Sequence, residues 1–127
     1  MRLSWLLAAL VLCAILAGLH IYGLAHFWYW RYRWFDTPMH ILAGVITGVL
    51  IVSYFKSFRP ITFLVIVAVV ALGWELFEYI FKISTGQPNY IWDTSHDILN
   101  DALGAIAVYI VARFTVWRSP RSEISSV

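Results

Sequence analysis

The sequence predicts an all-α membrane protein, a single bundle of four transmembrane helices, on three observations. Of its 127 residues 61% are hydrophobic and only 13% charged, where soluble domains carry about 25% charge; the mean hydropathy is +0.77. Four apolar segments, at about 3–25, 37–56, 60–83 and 94–117, are each long enough to cross about 30 Å of hydrocarbon at about 1.5 Å per residue. Between them lie aromatic, basic and turn-forming residues of the kind found at membrane interfaces. One transmembrane domain therefore accounts for residues 1–127, with a short polar tail at 118–127 expected to be disordered.

The first span runs from Leu3 to about Ala25 and is interrupted only by Gly18, His20 and Gly23. It is longer than the apolar core of a signal peptide and has no convincing small-x-small cleavage site, so it reads as a retained span. Cys13, the single cysteine, lies inside it and offers no disulfide framework. Phe27 to Phe35 is aromatic almost throughout, with Arg31 and Arg33 interleaved. It reads as an interfacial belt, its guanidinium groups within reach of lipid phosphates.

The second span opens on Asp36-Thr37-Pro38, a helix-start signal in which Asp36 can cap and proline takes the first turn. Gly44 and Gly48 follow as a small-xxx-small pair that admits a close neighbour. Lys56 to Arg59 form a basic turn, and Pro60 starts a β-branched third span that ends in Gly73-Trp-Glu-Leu-Phe-Glu-Tyr79. Glu78 and Lys82 stand four apart and fit an ordinary helix ion pair. Ser84 to Tyr90, with Gly86, Pro88 and Asn89, reads as a loop.

The fourth span is the most polar at its start. At about 100° per residue, Asp93, Asp97, Asn100, Asp101 and Gly104 share one face of a helix, with His96 to one side. Thr94-x-x-Asp97 fits a capping box, which would assign Asp97 to the backbone. His96 reads as an exposed first-turn residue; His20 and His26 read as packing or interfacial histidines.

Four alternating spans put the N-terminus, the middle turn and the tail on one side. Arg2, Lys56, Arg59, Arg113, Arg118 and Arg121 lie there, against Arg31, Arg33 and Lys82 opposite. The positive-inside rule then places both termini in the cytoplasm; the inner (plasma) membrane is the expected location. The formal charge of +2 is too small to suggest nucleic acid; the partners expected are membrane lipids, with a homo-oligomer or a membrane-protein partner left open.

This topology brings Asp36, Glu75, Glu78, Asp93, Asp97 and Asp101, six of the seven acidic residues, to one end of the bundle together with His40. An ionised Asp at mid-membrane costs about 2.5–3.5 kcal/mol, less toward the interface. A group of them persists when some are protonated, when bases sit among them, or when a cation holds them. His40, Glu75 and Asp101 lie at least a turn inside apolar helices, beyond the reach of caps and solvated faces. The metal-ligand candidates are Asp36, His40, Glu75, Glu78, Asp93 and Asp97, for one divalent cation such as magnesium, manganese or zinc. Asp97, Glu75, Glu78 and Asp101 are the candidate acids and bases of catalysis, and Arg31 and Arg33 the candidate lipid-phosphate contacts.

Asp36-x3-His40-x3-Gly44, Glu75-Leu-Phe-Glu78, Trp92-Asp-Thr-x2-Asp97 and Ala102-Leu-Gly-Ala-Ile106 resemble the YjdF-type inner-membrane proteins, over about the last three spans. A more distant likeness is to the VanZ-like family, against whose pattern this chain has Thr37 for a lysine, Glu78 for a glutamine and Asp101 for an asparagine, while Gly104 fits. The resemblance implies a small multi-spanning protein with a polar cluster, and for VanZ-like members a link to the cell envelope and glycopeptide resistance. It names no reaction. Three functions fit the residues: a metal-assisted enzyme acting on lipid headgroups or lipid-linked envelope precursors, a structural or partner-binding subunit whose cluster locks the helices, and a proton- or cation-coupled transporter. The nearly pure Ala, Val, Ile and Leu of the opposite half of the spans argues against the last.

Overall fold

The computed structural model describes residues 1–81 and 89–117. These form α1 (Leu3–Ala25), a single turn α2 (Trp28–Arg31), α3 (Asp36–Tyr54), α4 (Pro60–Phe81) and α5 (Tyr90–Phe114). Among the described residues there is no strand, and α1, α3 and α4 are long and apolar enough to cross a membrane. The fourth long helix, α5, carries Asp93, Asp97 and Asp101 in its first half, which shortens its apolar stretch. It starts at Tyr90, a turn before the expected boundary, because Asn89 rather than Thr94 sits at its N-cap. The capping box does not form, and Thr94 is free for another partner.

Successive long helices alternate in direction, so α3 and α5 run parallel and pack along one another most extensively. Their backbones meet at glycines. A Cβ on Gly44 would collide with the main chain of Asp101, and one on Gly104 with the main chain of Ile41 and Val45. Gly48 faces Val108, whose Cβ would lie 3.0 Å from an added methyl. In a bilayer, where apolar burial contributes little to helix association, this close fit of small residues is what holds two helices together.

The end of the bundle away from the acids is closed by groups bonding to the free carbonyls in the last turn of α3 and just after it. The Arg2 guanidinium donates to Val52, Phe55 and Lys56 carbonyls, and its backbone N–H donates to Ser53 at 2.7 Å. The Trp117 indole donates to the Phe55 carbonyl at 3.1 Å, and Tyr109 to that of Phe58 at 3.2 Å. These bonds satisfy acceptors that a helix end leaves orphaned. Phe63 and Tyr109 each meet Trp117 edge to face beneath them, beside a core of Ala9, Val49, Val52, Val67, Ala105, Val108 and Ala112.

At the acidic end the chain reverses after α1 through Phe27, which adopts a left-handed backbone with φ 58°. That conformation costs a non-glycine residue about 1–2 kcal/mol and turns α2 back over the bundle. Tyr29 and Trp28 then pack edge-on against Phe35, whose ring lies so near Gly23 that a Cβ there would be 2.6 Å away. The aromatic stretch is thus divided: Phe35 is buried, Tyr29 half-buried, and Phe27, Trp30 and Trp34 are exposed. Lys82, its expected pairing with Glu78, the turn at 84–88 and the tail at 118–127 lie outside the described residues.

The glycine contacts set a direct test. Gly44→Ala and Gly104→Ala are each expected to destabilise the fold by about 1–3 kcal/mol through overpacking against main chain. Gly18→Ala and Gly73→Ala add a methyl to open space and are expected to leave stability unchanged or raise it by about 0.5–1 kcal/mol. Thermal unfolding in detergent reads all four.

Candidate functional site

One turn separates Asp36 from His40 on α3, and one turn separates Asp97 from Asp101 on α5. The Gly44–Asp101 approach brings these two faces together and leaves His40 between the acids. Its Nδ1 lies 3.3 Å from Asp101 Oδ2, and its Nε2 lies 3.7 Å from Asp36 Oδ1 and 3.8 Å from Asp97 Oδ1. His40, Asp97 and Asp101 are all buried, at 7%, 8% and 6% exposure; Asp36 is half-buried.

The two ring nitrogens play different parts. Nδ1 pairs with Asp101, which fixes the ring plane and turns Nε2 toward Asp36 and Asp97. The Nε2–oxygen separations exceed a hydrogen bond yet fall within what two metal–ligand bonds of about 2.0–2.2 Å can span. Among the described residues Asp36, His40 and Asp97 form the one group of three potential ligands, with donor atoms all within 4.8 Å of one another. A carboxylate behind an imidazole, with further carboxylates in front, is the arrangement by which proteins orient a metal-binding histidine.

Glu75 reaches the same region from α4. Thr94 donates to its Oε2 at 2.8 Å, and Tyr90 donates to its main-chain carbonyl at 3.5 Å. Its Oε1 is buried with no hydrogen-bond partner among the described residues, an acceptor that the surrounding side chains leave unused. Glu78, a turn later, accepts the Trp74 indole at 2.8 Å.

A cavity of about 360 Å³ lies between α1, α3 and α4. Its polar end is lined by His20, Tyr29, Asp36, His40, Glu78 and Asp101; deeper, its walls are apolar. His20 Nδ1 and the Tyr29 hydroxyl are 2.7 Å apart. Burial, with the negative charge of Asp36 and Glu78 added, pushes the Tyr29 phenol above its ordinary range, so it keeps its proton and serves as a donor. His20 and Tyr29 thus face His40 across the cavity mouth.

The structure groups the sequence candidates unevenly. Asp36, His40, Asp97 and Asp101 come together, and Asp36 stands as the first residue of α3 without forming a side-chain cap. Of the six candidate ligands, Asp36, His40 and Asp97 bring donor atoms within 4.8 Å of one another. Glu75 is turned toward Thr94, Glu78 toward Trp74, and Asp93 sits half-buried a turn nearer the membrane surface than Asp97. Arg31 and Arg33 are exposed and do not line the cavity; Arg31 lies over the Tyr32 ring at 5.6 Å. His96 is exposed, its Nδ1 on the Trp92 carbonyl, and His26 stacks on Tyr22.

Residues that sequence reasoning passed over are Thr94, Tyr29 and His20. The criterion that singled out His40, a polar side chain more than a turn inside an apolar helix, applies equally to His20, five residues before Ala25. Tyr29 was masked by the aromatic residues around it, and Thr94 by its fit to a capping box.

A family model described as "predicted membrane protein (DUF2238)" matches residues 1–118. The chain belongs to that family. The YjdF-type likeness agrees with this match, which covers the first span as well as the last three; the VanZ-like likeness has no counterpart in it. No curated protein and no solved structure matches the chain.

The Glu75–Thr94 bond joins α4 to α5 beside the site, and it is testable. Thr94→Val should destabilise the protein by about 1–3 kcal/mol, because a buried carboxylate oxygen loses its donor, whereas Thr94→Ser should retain near-parent stability. Denaturant titration in mild detergent compares them.

Proposed function

We propose that this protein is a metal-assisted enzyme acting on the headgroups of membrane lipids or on lipid-linked envelope precursors. Its divalent cation, magnesium, manganese or zinc, would be held by Asp36, His40 and Asp97, with Asp101 orienting the imidazole. The carrying observation is His40 itself, braced through Nδ1 by a buried carboxylate while Nε2 faces two more at 3.7 and 3.8 Å, at the polar end of an otherwise apolar cavity. Such a cation polarises a phosphoryl or acyl oxygen, or activates water. Tyr29 and His20 stand across the mouth as proton donors to a headgroup oxygen, and Glu78 as an acceptor. The excess of Lys and Arg on the opposite side of the spans supports an outer-leaflet position for the site, both termini being cytoplasmic.

A second reading has its own support. His40 lies within 4 Å of carboxylates on both α3 and α5, so the cluster also fits an ionic lock between them, the role of a structural or partner-binding subunit. Transport fits less well, because the cavity walls become apolar below the cluster and offer no onward polar path.

Metal analysis separates these readings. The parent purified with magnesium, manganese or zinc is expected to carry about one tightly held cation, lost in His40→Ala and Asp97→Asn. Asp101→Asn should weaken binding about 10- to 100-fold, the usual loss when an orienting partner is changed. A parent without metal, whose His40→Ala variant loses about 3–5 kcal/mol of stability as a broken buried ion pair does, would establish the lock instead. Metal that survives both ligand substitutions would place the cation elsewhere.

A further inference from the structure

We infer that the cavity between α1 and α4 takes one acyl chain of a bilayer lipid, with the lipid's headgroup presented at the His40 cluster. The inference names the substrate class for the enzyme proposed above and rests on that reading for the lipid's role; the binding of the chain is judged by itself.

Depth is the first argument. The cavity reaches Cys13 on α1, Thr47 on α3 and Val67 on α4. Thr47 lies eleven residues below Asp36, roughly 17 Å along the helix, which is near the middle of the hydrocarbon layer. Walls of Leu16, Ala43, Ile46, Val67, Val70 and Ala71 surround this deep part. Thr47 is the one hydroxyl at this depth, fewer partners than the two to four that hold a buried water, and a void so lined forfeits dispersion contacts that a hydrocarbon chain would supply.

Access is the second. α1 and α4 each pack on α3 but scarcely meet one another. Cys13, Ala17, Val70 and Trp74 line the cavity and are also exposed to the surroundings. The opening therefore faces sideways, into lipid, and a chain enters without crossing a polar surface. Size is the third. About 360 Å³ is at the small end of ligand sites, which run to about 1,000 Å³, so one chain is admitted and the second of a diacyl lipid stays in the bilayer. The polar mouth then lies where the headgroup of the inserted chain must sit.

The test uses the full chain in nanodiscs containing phosphatidylethanolamine with a photoactivatable diazirine near one chain end, adducts being mapped by mass spectrometry. Adducts are expected on Leu16, Ile46 and Val67. Ala17→Phe, at the exposed rim, and Ala71→Phe, on the inner wall, should each reduce these about tenfold, a change of about 1.4 kcal/mol in binding. Adducts on Leu10 and Val69, exposed residues that do not line the cavity, should be unchanged. Ala17→Phe changes an exposed position, so it remains informative even where Ala71→Phe unfolds the bundle. Labelling confined to the outward faces, or cavity labelling indifferent to Ala17→Phe, overturns the inference. So does a Cys13–Cys13 crosslink between copies without cavity adducts, which assigns the space to a second protein chain. Metal measured in the same samples separates the two proposals: cavity adducts on protein without metal leave the chain site standing and remove the metal centre, and metal without cavity adducts does the reverse.

Discussion

The approach of α3 to α5 at Gly44 and Gly104 is the constraint on which the remainder depends. Each glycine lies against the other helix's main chain, so the two contacts fix both separation and register. A slip of one residue would rotate His40 by about 100° and part it from Asp97 and Asp101. The same fit excludes lipid from the space between the acids and the imidazole, and electrostatic interactions there are correspondingly strong. Packing of the smallest residues and placement of the most polar ones are a single structural decision in this protein.

Around that seam the polar residues are arranged by partner rather than by charge alone. His40 is shared among three carboxylates on two helices, Glu75 is fastened by Thr94 to α5, and Glu78 is fastened by Trp74 within α4. Buried acids in a low-dielectric setting persist only when their oxygens are engaged; Asp101, Glu75 and Glu78 each have a hydrogen-bonded oxygen, while Asp36 and Asp97 face the imidazole at 3.7 and 3.8 Å. The buried Oε1 of Glu75 stands out for lacking a donor among the described residues. Its neighbours connect α4 to the α3–α5 pair at the depth where the cavity becomes polar.

Much of this was legible in the residue order. Apolar length marked α1, α3 and α4 as membrane-crossing helices, and the small-xxx-small spacing of Gly44 and Gly48 marked α3 as a close-packing helix. Alternating topology alone carried Asp36, His40, Glu75, Asp97 and Asp101 to one end. Side-chain direction was not legible. Glu78 and Asp93 share that end with the rest, but a helix offers its side chains in every direction, and only the neighbour decides which way is inward. The start of α5 was misplaced for a related reason: Thr94 satisfies the local rule for a cap, while a tertiary bond to Glu75 competes for the same hydroxyl. His20 and Tyr29 were hidden because their pairing depends on the left-handed backbone at Phe27, which no local residue preference announces.

α1 is moored unequally along its length. Arg2 ties its first turn to the carbonyls after α3, Ala9 is fully buried, and Gly23 is pressed beneath Phe35. Between Ala9 and Gly23 none of its residues is buried. Between these two positions only Leu12, Leu16 and His20 are half-buried, and the rest of the helix turns its side chains outward. The span that borders the cavity is thus the one whose own middle depends least on protein neighbours.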